Sequence, residues 1–414
     1  MNPEKIEKIF WLCIIIWFVL RAVLLGCQYF GSEKPELRTE ALKYFTEENI
    51  NSAREYSLSG FWFKAIYGIL YIVILVALLR SGFFSFIWQK VTDVCGVGLF
   101  KRDLAFSLFF FVFLRILSFP SSIYFGYFRE SASGFSNLTI GGWLLRYFKS
   151  AGINLGFEII VMLVLLAVLR YLPNRWPWVL PLTLGVISAG SIILTPMLIT
   201  PLFYNQKPLE AGELRTRILD IASKANLAID EIYVIDESRY SNHTNAYFTG
   251  FGKYKRIVLY DNLIKNNTVD ELALIFAHEA GHWKYSHMNW GLACGILGAF
   301  AVCFIIYWSF GSLAAVKWFG LTEIHLASSI PFFMIAYMVL QLFFAPIESQ
   351  ISQFMERQAD RTSIELTGLN DVFRTAQIRL ALDNKSELLP HPFRVFWLYS
   401  HPTPLERLRS SQIE

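Results

Sequence analysis

"LIFAHEAGHWKYSH", residues Leu274–His287, sets His278 and His282 four positions apart, with Glu279 beside the first. The residues ahead of this run carry a helix-start signature, with Thr268 three before Glu271 as a capping box. Ala- and Leu-rich content keeps the helical pattern going through His282. Residues four apart on a helix are neighbours on one face. His278 and His282 can therefore point imidazole nitrogens at one cation, and Glu279, about 100° further round, can reach a water bound to it.

That is the HExxH arrangement. Neutral imidazoles hold zinc while leaving a coordination position open, and zinc lowers the pKa of bound water. A carboxylate beside that water takes its proton and can later pass it to a leaving amine. The competing reading, two histidines packed in a core, makes Glu279 a buried carboxylate in need of a partner.

A catalytic zinc normally takes three protein ligands, so a third His, Glu or Asp is expected elsewhere. Glu356, in "FMERQAD", is the best candidate, with Asp360 four residues on and on the same helical face. Asp360 would then accept a hydrogen bond from the free ring N–H of a ligand histidine. Taken alone, such a carboxylate pair is usually a solvated helix surface. His287, five beyond His282, falls off the ligand face and reads as surface.

Around this run the chain is apolar. Of its 414 residues 54% are hydrophobic and 17% charged, and the mean hydropathy of +0.41 lies on the membrane side of globular averages. A net charge of +4 without a basic stripe argues against a nucleic-acid partner. The five cysteines form no CxxC pair, so neither a disulfide framework nor a thiolate metal site is indicated, and they read as small core hydrophobes.

Apolar stretches long enough to span hydrocarbon lie near 9–30, 61–79, 103–127, 151–171, 178–203, 290–311 and 326–346. The fifth is interrupted near its end by Pro196 and Pro201. The loop at 31–60, rich in both charges, reads as a polar amphipathic element. Arg115 and Glu158 fall inside spans, where charge is costly, and are expected to face a polar interior, whereas Lys64 can equally snorkel. Positive-inside counting is silent on orientation. Two spans separate His282 from Glu356, so the chain returns to the side it left and the ligands can meet at one membrane surface. The expected division is a membrane region over 1–204, a segment over 205–288 with an edge strand and the HExxH helix, spans six and seven over 289–347, and a C-terminal segment over 348–414 with the third ligand.

Five ordered motifs carry a family resemblance: "PLFYNQKPLEAGELR", "SNHTNAYFTGFGKYKRIVLYDNL", "HEAGHWKYSH", "ERQAD" and "YSHPTPLERL", which together cover the chain from about residue 196 to its end. The sequence resembles the type I CAAX prenyl proteases, integral-membrane zinc metallopeptidases related to bacterial heat-shock membrane peptidases. The resemblance implies a mainly α polytopic membrane protein, about seven helices around a water-filled chamber, closed by a small α+β gluzincin-like domain. It implies one Zn2+ per chain on His278, His282 and Glu356, with Glu279 as general base and Asp360 behind a ligand. Asn245 matches a position that holds substrate backbone, and His401 and Arg407 match residues near the scissile carbonyl. "YKRIVLY" supplies a candidate strand for a peptide to add to. The implied partners are the lipid bilayer and a peptide substrate, C-terminally prenylated in the family, acted on by a monomer. The implied location is an endoplasmic-reticulum-type membrane in a eukaryote or the cytoplasmic membrane in a bacterium. A quality-control peptidase without prenyl dependence and a non-catalytic zinc-binding membrane protein are the alternative readings.

Overall fold

The computed structural model describes residues 3–31, 34–96, 98–229, 231–249, 256–310, 320–321 and 326–410. Among these, seven helical stretches are long and apolar enough to cross a membrane: Glu7–Phe30, Glu47–Arg80, Leu99–Ala132, Ile140–Tyr171, Trp176–Phe203, His287–Trp308 and Ala327–Thr367. Each coincides with an expected span, and the fifth runs on through Pro196 and Pro201. At most a third of the residues in any of their apolar windows are covered by protein. So much bare Leu, Ile, Val and Phe surface is stable only where hydrocarbon takes the place of water.

Six helices carry the later argument: α1 (Pro3–Phe30), α2 (Phe61–Arg80), α3 (Leu99–Ile123), α4 (Ile140–Tyr171), α5 (Trp176–Leu194) and α6 (Val269–Lys284). After them come α7 (His287–Phe310), α8 (Ile330–Thr367), α9 (Asn370–Asp383), α10 (Pro392–Leu398) and α11 (Pro404–Ser410). The charged stretch 31–60 folds into the polar helices Pro35–Ala41 and Glu47–Leu58. The spanning helices wall a chamber. In its wall Arg115 of α3 pairs with Glu158 of α4 at 2.6 Å, each side chain about a third exposed. Neither charge is left alone at depth, as the cost of burying it demands.

The segment between spans five and six folds into a four-stranded sheet: β1 (Gln206–Pro208), β2 (Glu231–Ile235), β3 (Ala246–Thr249) and β4 (Arg256–Tyr260), in the order β1-β2-β4-β3. β2 and β4 run parallel, and the outer pairs are antiparallel. Here the structure corrects the sequence reading. The run expected to offer an edge is β4, which is interior, and its Tyr254 and Lys255 lie outside the described residues. The three consecutive buried residues Ile257, Val258 and Leu259 are the mark of a strand covered on both faces. The open edge nearest the HExxH helix is β3.

α6 begins as its capping box dictates: Thr268 Oγ1 accepts from the Glu271 N–H at 3.3 Å, and Glu271 Oε2 accepts from the Thr268 N–H at 2.9 Å. Its apolar face, with Phe276, Ala277 and Ala280 fully buried, joins Ile232, Ile257 and Leu259 of the sheet in one core. Its other side lies on α8, a single helix that rises out of the seventh span and stops at Gly368, left-handed at φ 67°. That continuity brings a residue of the last span's own helix to the site.

Candidate metal centre and active site

Gly281 decides how closely α6 and α8 approach. A Cβ there would stand 2.9 Å from Ala359 Cα and 3.1 Å from Thr362 Cβ, so only glycine lets the backbones touch. With the helices that close, Glu356 and Asp360 of α8 reach both histidines of α6. His278 Nε2 lies 3.2 Å from His282 Nε2, and each lies 3.3 Å from an oxygen of Glu356. The two oxygens divide the contacts, Oε2 toward His278 and Oε1 toward His282, and one donor atom from each of the three residues lies within 4.8 Å of the others. Atoms about 2.0–2.1 Å from one tetrahedral zinc stand about 3.3–3.4 Å apart. The donor set of two imidazoles and a carboxylate matches as well. Glu356 Oε2 is also a buried oxygen with no hydrogen-bond donor. The residues present fit a single cation with an open position.

The surroundings fix the ligands' tautomers. His278 turns Nδ1 toward Asp360 Oδ1 at 2.9 Å. Burial works against charge on His278, but Asp360 and Glu356 outweigh it and raise the imidazole to about 9. Arg407, from α11, lies on Asp360, its Nε 2.8 Å from Oδ2 and its Nη2 on Oδ1. The guanidinium thus braces the carboxylate that faces His278; a place near the scissile carbonyl is what the resemblance implied for it. His401 does stand at the site, with Nε2 3.3 Å from Glu356 Oε1 and its ring more than half exposed.

His287 overturns its surface reading. Ser286 takes a left-handed φ of 55° between α6 and α7, so helical geometry extrapolated beyond Lys284 does not apply. The chain folds back, burying His287 with Nδ1 2.9 Å from His282 Nδ1 and Nε2 3.0 Å from Gln358 Oε1. The amide oxygen requires the Nε2–H of His287, leaving its Nδ1 to accept from His282, whose Nε2 lone pair is thereby turned to the ligand cluster. The signal was available in sequence only as a third histidine close by.

Glu279 is flanked by β3. Burial raises its carboxyl above the usual range, opposed by His278, His282 and the Phe248 N–H, which donates to it. A carboxylate moved toward neutrality suits a general base. Asn245 stands exposed at the head of β3, its Oδ1 accepting from the Ala246 N–H at 2.9 Å.

A seven-span membrane chamber, closed by an HExxH helix and a carboxylate from the returning span, defines an integral-membrane metallopeptidase. Residues 208–412 match the model of peptidase family M48, and residues 28–205 match that of the CAAX prenyl protease N-terminal region with five membrane helices. The chain belongs to this family, on the CAAX prenyl protease branch. It is 29% identical to "CAAX prenyl protease 1" of Saccharomyces cerevisiae over 87% of this chain and 85% of the relative. It is 28% identical to "Uncharacterized metalloprotease YhfN" of Bacillus subtilis over 67% of this chain and 66% of the relative. The crystal structure of S. mikatae Ste24p superposes with a TM-score of 0.84 at 27% identity, covering 99% of both chains.

Proposed function

We propose that the chain is a zinc endopeptidase that trims C-terminal residues from prenylated proteins at the wall of its chamber, as a monomer with one Zn2+. The convergence of His278 Nε2 and His282 Nε2, 3.2 Å apart, on the Glu356 carboxylate, each 3.3 Å from one of its two oxygens, carries this reading. The zinc, when bound, supplies an electrophile for the scissile carbonyl and acidifies water. The remaining work falls to this chain's residues. Glu279 takes the proton of the attacking water and delivers it to the leaving amine. Asp360 and Arg407 hold His278, and His287 holds His282. His401 is placed to donate to the oxygen that gains charge in the transition state. Asn245 and the open edge of β3 hold the peptide extended. In this reading residues 1–204 with 289–347 build the membrane wall, and 205–288 with 348–414 supply the chemistry.

Glu279→Gln tests the base: full metal content by elemental analysis with no product is expected, and retained turnover rejects the role. Farnesylated against unmodified peptides, with products mapped by mass spectrometry, tests the substrate, and a strong preference for the farnesylated peptide is expected. The alternative outcome is cleavage of membrane-associated peptides without a prenyl group. Equal turnover of both peptides selects it.

A further inference from the structure

A cavity of about 460 Å³ lies where the first turn of α2, the end of the third span, the residues after α9 and the segment around α10 converge. Lys64, Arg129, Lys385 and Arg394 line it against one carboxylate, Glu387. That carboxylate is already satisfied: Arg54 Nη1 and Ser57 Oγ each donate at 3.0 Å, Tyr399 Oη donates at 2.9 Å, and Arg394 pairs with it. Arg129 is committed to Ser59 Oγ at 2.7 Å and Glu130 at 3.3 Å, and Lys385 to the Ser133 carbonyl at 3.0 Å. Lys64, exposed to solvent at the cavity, has no side-chain hydrogen bond or ion pair among the described residues, and the guanidinium groups of Arg21, Arg394 and Arg129 bear on it. It also sits in the first turn of α2, at the positive end of the helix dipole. An anion in the cavity relieves the repulsion and the dipole together.

We propose that this cavity is a carboxylate subsite, which takes the free C-terminal carboxylate of a peptide cut about three residues upstream. The inference rests on the peptidase reading above and deepens it. Tyr260 N–H donates to the Asn245 carbonyl at 3.2 Å, so in the antiparallel register Ala246 and Phe248 turn their backbone polar groups to the open edge of β3. The Phe248 N–H reaches Glu279, which places the reacting centre beside that residue. A peptide adding antiparallel to β3 runs its C-terminal end back toward Thr244. At about 3.3 Å per residue, the three steps from Phe248 to Asn245 cover about 10 Å. There the strand meets the cavity: Asn384, a lining residue, donates to Thr244 Oγ1 at 3.4 Å. Tyr399 also lines the cavity, and His401, two residues on, faces Glu356.

The test uses the full-length protein in lipid nanodiscs and one peptide made with a C-terminal carboxylate or a C-terminal amide. For wild type the amide is expected to raise KM about tenfold or more, the scale of one charge-assisted hydrogen bond, with kcat little changed. Lys64→Met is expected to equalise the two KM values and Lys64→Arg to keep the preference. Equal KM values in wild type, or a preference that survives Lys64→Met, overturns the proposal. Binding of both peptides to Glu279→Gln, read by fluorescence anisotropy, needs no turnover. A carboxylate preference there, with no cleavage by metal-loaded wild type, sinks the peptidase reading and leaves the subsite standing. Loss of co-purified anionic phospholipid from Lys64→Met, without loss of the peptide preference, assigns the cavity to a lipid headgroup and overturns the proposal.

Discussion

Two residues that do no chemistry determine whether the ligand cluster exists. Gly281→Ala adds a methyl 2.9 Å from Ala359 Cα. Alanine is about 1 kcal/mol the better helix former, but the clash is with backbone that cannot turn away, and overpacking of this kind costs about 1–3 kcal/mol. Repulsion therefore wins, and the separated helices should hold less metal than wild type when purified protein is measured by elemental analysis. His287→Ala removes the group 2.9 Å behind His282 without touching the ligand cluster. Loss of such an outer partner typically weakens metal affinity about tenfold to a hundredfold. Competition with a chromogenic chelator reads this directly, and unchanged affinity would show that His282 keeps its tautomer unaided.

At the scale of elements, the end of the third span is tied to the head of β3 through one histidine. His243 Nε2 lies 2.9 Å from Glu130 Oε2, and Nδ1 lies 3.1 Å from Asn384 Oδ1, while Phe135 stacks on the ring. With an acceptor at each nitrogen, the doubly protonated ring is favoured. The hydrogen bond to Glu130 is the main cause of its raised pKa, with burial opposing and Asn384 and Glu237 assisting. The folded value thus exceeds the unfolded value of about 6.5, so the added stability is full below about 6.5 and is lost as pH rises through the folded pKa. Thermal unfolding of wild type and His243→Gln should show the largest gap at acid pH, narrowing toward alkaline pH. A gap that widens with pH contradicts the assignment.

For the whole molecule, the balance is between an apolar exterior solvated by lipid and an interior that tolerates charge. Arg115 and Glu158, 2.6 Å apart on neighbouring spans and each a third exposed, stand at that boundary. Removing one partner strands the other. Because both retain some solvent, the loss for Arg115→Met should be about 1–2 kcal/mol, below the 3–5 kcal/mol of a fully buried pair. The double variant Arg115→Met, Glu158→Met should recover most of it, as read by thermal unfolding in detergent. No recovery would mean the two side chains act independently.

Apolar run length and helical spacing were enough for the seven spans, the HExxH face, the pairing of Glu356 with Asp360 and the return of the chain to one membrane surface, because these depend on local period and on counting crossings. The capping box at Thr268 and the stop at Gly368 were legible for the same reason. Tertiary structure alone decided what lies beyond a chain reversal or across a helix contact. It put His287 behind His282, Arg407 behind Asp360, β3 rather than β4 at the open edge, and Lys64 unpaired in a cavity. Each of these places is fixed by which surfaces pack together, and no periodicity along a single chain carries that information.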